Sequence, residues 1–185
     1  MSESTSQSEQ RLRKALWEEA NRVIIDATYS GRAHQMMGTD WNGINRFLGL
    51  PAVILSTLLA GGAGVTILVG IHKWIPATLA LVSAGLTAAR SFLRADETAE
   101  QNGLKGDRLI SLRNDAIRFQ QIDLLSSLSI DALSDRCKIL SERRNSFREQ
   151  PPRHIPRSVY ERVKKSIESG ESDYENDRLW QQGPF

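Results

Sequence analysis

FLGLPAVILSTLLAGGAGVTILVGIHKWIPATLALVSAGLTAARSFL, residues 47–93, decides how the chain is read. Between Arg46 and Lys73 lie 26 residues with no Asp, Glu, Lys or Arg, and between Lys73 and Arg90 lie 16 more. A helix needs ~20 mostly apolar residues to cross the hydrocarbon core of a bilayer. Residues 47–71 therefore read as one transmembrane helix and 75–93 as a second, joined by the short turn His72-Lys73-Trp74. Pro51 sits one turn inside the first, where a missing amide hydrogen does little harm. Trp41 and Trp74 suit the two membrane–water interfaces. Arg90 and Arg94 can extend their stems and keep their charges at the interface, which makes the short second helix workable.

Orientation follows from the basic residues. Arg11, Arg13, Lys14, Arg22, Arg32 and Arg46 precede the first run, Arg90 and Arg94 close the second, and only Lys73 lies between. Basic residues stay on the cytoplasmic side, so both termini are expected there and the turn outside. The alternative, one fully buried hairpin in a water-soluble protein, needs a complete protein jacket that the remaining polar chain is too short to supply.

The 185 residues carry 24 Lys and Arg against 22 Asp and Glu, a net charge of +2, so bulk composition points to no particular partner. A cleaved signal peptide would place its apolar stretch near the N-terminus rather than at residue 47. Cys137 is the single cysteine, which excludes a disulfide framework within the chain and fits a reducing compartment. His34, His72 and His154 lie far apart with no carboxylate or thiol at ligand spacing, so no metal or other cofactor is expected. No nucleophile elbow, His-Glu-x-x-His motif or paired carboxylates in a convincing cleft occur, and the chain is not expected to be an enzyme.

Outside the apolar runs the pattern is helical. Residues 1–7 are polar and expected to be a disordered tail. From Ser8 on, Leu12, Leu16, Ala20, Val23 and Ala27 recur at spacings of four, four, three and four, one face of a helix over 8–37 that Gly38-Thr39-Asp40 should end. Helices are expected to continue over 94–150. Leu109, Leu112, Ala116 and Phe119 mark one face, with Gly103 and Gly106 weakening it, and Ile130, Leu133, Cys137 and Leu140 mark the next. Ser126 to Ser129 reads as the join. Pro151-Pro152 and Pro156 break the helix, a short helix occupies 157–169, and an acidic irregular tail fills 171–185. The fold class is thus all-α: a transmembrane hairpin with a cytosolic helical bundle built from the N- and C-terminal helices, the single domain spanning 8–170.

Three sets of residues are candidates for function. The glycines of AGGAG at 60–64 lack the spacing and the preceding strand of a nucleotide loop. Ala60, Gly61 and Gly64 read instead as a helix-packing strip, which can meet Ala80, Ala84 and Ala88 within the hairpin or between neighbouring chains. Ser83, Thr87, Arg90 and Arg94 follow at spacings of four, three and four, a candidate pore-lining stripe with Leu79, Val82, Leu86 and Leu93 opposite. The competing reading has the hydroxyls bonded back to their own helix and the arginines among lipid phosphates. Residues 136–165 hold ten basic and three acidic residues. Among them Arg143, Arg144, Arg148, Arg153 and Arg157 are candidate contacts for anionic lipid or a phosphorylated ligand, with the acidic tail and plain solvent as alternatives. Nucleic acid is disfavoured because no aromatic residues interleave with the charges.

The order of elements, an amphipathic helix with Trp17, a link through Trp41, the span opening FLGLPAVILST, a tiny turn, the second span, then RSFLRADETAEQNGLKGDRLISLRND and RHIPRSVYERVKKSIESGESDY, resembles the SLATT family (SMODS and SLOG-associating two-transmembrane effector domain) over roughly residues 10–180. The resemblance implies a bacterial inner-membrane effector that assembles as a homo-oligomer, breaches the membrane and kills or arrests a phage-infected cell once a nucleotide second messenger appears. No separate ligand-sensing domain is fused, so the signal is expected to bind the helices themselves or a nucleotide-sensing partner protein. The other functions considered are a non-conducting membrane anchor that recruits a soluble partner through the cytosolic helices, and a housekeeping channel.

Overall fold

The computed structural model describes residues 2–60, 74–152 and 154–169. Among these residues the chain is all-α, with no strand. Helix α1 spans Ser2–Ala60, α2 Ile75–Leu93, α3 Ala95–Arg118, α4 Ile130–Glu149 and α5 Arg157–Glu168, and a π-helical turn, Phe119–Asp123, extends α3. The chain divides into two compact units: residues 1–36 with 102–185, and residues 37–101.

Helix α1 departs from expectation at both ends of its polar stretch. It begins at Ser2, within the stretch 1–7 expected to be disordered, and runs unbroken through Gly38-Thr39-Asp40. The reason is energetic: one interior glycine costs about 1 kcal/mol relative to alanine, less than abandoning a turn of backbone hydrogen bonds. Pro51 consequently lies inside a continuous helix rather than near the start of one. Its ring nitrogen has no hydrogen to donate and leaves the Phe47 carbonyl without its helical donor.

The first unit is a helical bundle. Ala20, Val23, Ile24 and Ala27 of α1 are fully buried against Leu112, Ala116 and Phe119 of α3 and its π turn, and against Leu133, Cys137 and Leu140 of α4. Leu16, Trp17 and Phe147 close the rim of this core, while Leu12 is half exposed. Helix α4 starts at an N-cap, Ser129, whose side chain accepts from the Ala132 amide, and stops at Glu149 just before Pro151-Pro152. Helix α5 adds Val159 and Val163, four apart and both buried, and Tyr160 stacks on Tyr29 with ring centroids 5.9 Å apart.

Side chains tie the connections down. Arg13 donates to the carbonyls of Leu124 (2.6 Å) and Leu128 (3.1 Å), holding the loop between the π turn and α4. Gln120 donates to the Trp17 carbonyl at 2.9 Å. Lys105 donates to the carbonyls of Gln150 and Pro152 at 2.5 and 2.7 Å, fixing the end of α4 onto α3. Helices α1 and α3 approach so closely that a Cβ added at Gly106 would lie 3.0 Å from the Gly31 carbonyl oxygen.

The second unit pairs residues 37–60 of α1 with α2. The expectation of two membrane-crossing helices meets a plain result: among the described residues no helix is long and apolar enough to cross a membrane. Residues 61–71 of the first expected span, with Gly61 and Gly64, and the His72-Lys73 part of the turn lie outside the described residues. The charge-free part of α2 is short because Arg90 interrupts it.

Candidate functional site

The inner face of the helix pair is lined by small and polar groups. Gly49 and Ala52 of α1 and Ser83 of α2 are buried. The Ser83 hydroxyl lies 2.9 Å from that of Ser56 and 3.3 Å from the Ala52 carbonyl. Leu79, Leu86 and Arg90 flank Ser83 on the same face, all half-buried, and the Arg90 guanidinium lies over Gly49, 3.3 Å from where a Cβ would stand. Glycine at 49 therefore makes room for an arginine between the helices.

This arrangement places the four pore-lining candidates individually. Ser83 faces α1, inside the pair. Thr87 donates to the Ser83 carbonyl at 2.9 Å, the back-bonded alternative. Arg90 pairs with Asp96 at 2.9 Å and Arg94 with Glu97 at 3.4 Å, both carboxylates being on α3. Arg94 sits between α2 and α3 in the left-handed region (φ 45°, ψ 44°), so the chain turns there at a cost of about 1–2 kcal/mol for a residue with a Cβ.

The packing strip falls elsewhere than the inner face. Ala80, Ala84 and Ala88 are exposed, as is Ala60, so within the described residues these alanines do not join α2 to α1. At 100° per residue Ala84 and Ala88 stand about 100° and about 140° around the helix from Ser83. Leu79 and Leu86, expected on the opposite face from Ser83, share its side instead. The residues that do join the helices, Gly49, Ala52 and Ser56, form a small-residue series at spacings of three and four that is visible in the sequence.

The outer face is strongly apolar. Phe47 (76% exposed), Leu81 (75%) and Phe92 (88%) are the extremes, and Leu50, Val53, Ile54, Leu58 and Val82 are also exposed. A helix pair in water buries its largest apolar side chains; this pair fully buries glycine, alanine and serine, half-buries Leu79 and Leu86, and leaves Phe47, Phe92 and most of its other large apolar residues outside.

In the bundle, part of the basic stretch finds its counter-charges on other helices and part within its own. Arg143 pairs with Asp115 of α3 at 2.6 Å, and Arg148 with Asp26 of α1 at 2.9 Å. Arg144 stands 3.8 Å from Glu19 and 4.0 Å from Asp26. Arg157 pairs with Glu161 within α5 at 2.8 Å. Arg153 and the acidic tail at 171–185 lie outside the described residues. Three carboxylates of α1 and α3, Glu19, Asp26 and Asp115, thus answer part of the positive excess along 136–165, at Arg143, Arg144 and Arg148, and these partners were hidden from a count along the chain.

Among the buried titratable groups of the bundle, Cys137 and His34 are displaced from their ordinary pKa values. Burial pushes the Cys137 thiol up, and the nearby Glu19 charge adds to this, so the thiolate is disfavoured. His34 is 2% exposed, with Nδ1 2.9 Å from Asn102 Oδ1. Burial holds its pKa below the usual histidine value; the Asn102 hydrogen bond opposes this and the Lys105 charge reinforces it. The unfolded chain therefore takes up a proton more readily than the folded one. His34's contribution to stability is complete above about pH 6.5, and declines as pH falls below that value. Melting curves followed by circular dichroism from about pH 8 to about pH 5 should show this decline in the wild type and a flatter profile in His34→Gln. Equal slopes in the two proteins would remove His34 as the cause.

No family model, curated protein or solved structure matches the chain.

Proposed function

We propose that residues 47–93 form a membrane-inserted helical hairpin and that the chain is a non-enzymatic membrane effector, assembling with copies of itself to open a pore or otherwise breach the bilayer. The observation that carries this reading is the sorting of the helix pair: Gly49, Ala52 and Ser83 inside, Phe47, Leu81 and Phe92 outside. Large apolar side chains on the outer surface suit lipid, while small residues let two helix backbones approach where no hydrophobic effect drives them together. The 19 residues of α2 reach about 28 Å at 1.5 Å per residue, close to the ~30 Å of a hydrocarbon core. Arg90, paired with Asp96 at the end of α2, suits the interface.

In this reading the helical bundle and both termini stand in the cytoplasm, at the inner membrane of a bacterium, and the resting pair keeps Ser83 against Ser56. Opening requires a state in which Ser83, Thr87 and Arg90 meet water, and a signal favours it by binding that state more tightly than the resting one. The exposed strip Ala80, Ala84 and Ala88 is then available for contact between chains. The resemblance to SLATT domains supports antiphage defence as the setting and a nucleotide, or a nucleotide-sensing partner, as the signal.

The test is release of a trapped dye from liposomes into which the purified chain has been incorporated, with candidate nucleotides added in turn to supply the signal, and retention counts only when it persists with each of them. Release is the expected result. Full retention of dye in vesicles shown by flotation to carry the protein would overturn the effector reading in favour of the non-conducting anchor.

A further inference from the structure

The bundle contains a cleft of about 170 Å³ walled by three helices. Its polar lining is Asp26, Ser30 and His34 from α1, Lys105 from α3, and Arg144 and Arg148 from α4. Three basic side chains therefore face one carboxylate across an open-mouthed space whose other lining residues, Leu109, Phe147 and Ile155, are apolar. Asp26 is shared, at 2.9 Å from Arg148 and 4.0 Å from Arg144. Lys105 is only 6% exposed, and its ammonium is held in place by the Gln150 and Pro152 carbonyls, so it is pre-positioned rather than mobile. Arg148 is the reverse: its side chain is 63% exposed and free to re-aim.

The size and the charge limit what fits. Sites for whole small molecules run from about 300 Å³ upward, so this cleft takes a charged end group and leaves the rest of its owner outside. Guanidinium forks match the oxygens of phosphate and carboxylate, and an excess of two positive charges in the lining suits a dianion better than a monoanion. Asp26 already occupies the carboxylate role, so an incoming group must outcompete it, which a doubly charged group does.

We propose that this cleft binds a phosphate monoester dianion, clamped by Arg144 and Arg148, which displaces Asp26 from them. Asp26 belongs to α1 and both arginines to α4, so displacement exchanges the Asp26 ion pairs for contacts made through the ligand, while Glu19 of α1 keeps its place 3.8 Å from Arg144. Under the effector reading above, on which this role rests, that exchange is how a signal reaches α1, the helix that continues into the apolar pair. The negative charge also offsets the effect of Lys105 on His34, so binding raises the pH at which His34 takes up its proton.

Inorganic phosphate is the probe, titrated into the full chain in a non-ionic detergent and followed by calorimetry and by the imidazole resonances of His34. Saturable binding is expected, at least tenfold weaker in Arg144→Gln and in Arg148→Gln, tighter in Asp26→Asn, and unchanged in Arg157→Gln, whose side chain is exposed and paired within α5. Circular dichroism checks each fold; should Arg144→Gln unfold, the opposite shifts of Arg148→Gln and Asp26→Asn still carry the test. Equal affinity in all variants, weaker binding in Asp26→Asn, or no saturation overturns the proposal. Nanodiscs of phosphatidylcholine with and without phosphatidic acid identify the source: competition by phosphatidic acid assigns the site to a lipid headgroup, its absence to a soluble ligand, and both agree with a monoester site. Phosphate binding is read without any leakage, so its failure and a failure of dye release are separate results.

Discussion

Gly106→Ala is expected to destabilise the bundle by about 1–2 kcal/mol, whereas Gly103→Ala, on the same helix, stabilises it by about 0.5–1 kcal/mol. At Gly106 a new Cβ would stand 2.7 Å from Gln35 Cγ, 3.0 Å from the Gly31 carbonyl oxygen and 3.1 Å from the Gln35 amide nitrogen. Two of these three atoms are backbone, so relief requires α1 and α3 to move apart. Such overpacking costs about 1–3 kcal/mol, and the better helix propensity of alanine returns only about 1. A Cβ at Gly103 meets nothing within 4 Å, so only the propensity gain remains. Thermal or denaturant unfolding of the three proteins under one condition reads both signs. Similar shifts at the two positions would show that the Gly31–Gly106 crossing is looser than described. Gly31 is part of the same contact, its own Cβ position lying 3.1 Å from Ile110 Cδ1.

Leu81→Asp separates the membrane reading from an aqueous one by its sign. Leu81 is 75% exposed on the outer face of α2. In water, exchanging an exposed leucine for aspartate changes stability by about 0.5 kcal/mol or less and improves solubility. In a bilayer, an aspartate near the middle of a spanning helix costs about 3 kcal/mol relative to leucine, roughly a hundredfold in insertion. Wild-type chain in isolated membranes is therefore expected to resist alkaline carbonate and to need detergent for release, while the Leu81→Asp chain shifts substantially into the carbonate supernatant. Equal extraction of both proteins would contradict the membrane-inserted hairpin.

Much of the bundle is legible in the chain because its core positions are set by local spacing. Leu109, Leu112, Ala116 and Phe119, and likewise Leu133, Cys137 and Leu140, recur at three and four residues, and all are buried. Where expectation and structure part, a local rule competes with a non-local gain. Gly38 looked like a helix stop, but one glycine is a weak penalty against the continuity of α1. The alanine strip of α2 looked like its packing face, yet the face toward α1 is the one carrying Ser83, because Gly49, Ala52 and Ser56 supply the space and the hydroxyl that meet it. The basic stretch reads as an unbalanced cation surface along the chain, whereas in the fold Asp26, Asp115 and Glu19 stand beside three of its arginines.

The amino-acid order alone determined that the chain is helical, that its apolar residues concentrate in 47–93, and that prolines end the helix beyond Glu149. Each of these is a property of neighbouring residues: side-chain periodicity, absence of charge, a missing amide hydrogen. Only the tertiary structure decided which side of α2 turns inward, which carboxylate answers each arginine, and that Asp26, Lys105, Arg144 and Arg148 line one cleft. Those outcomes depend on residues scores of positions apart, and a helix face is neither inside nor outside until another helix is laid against it.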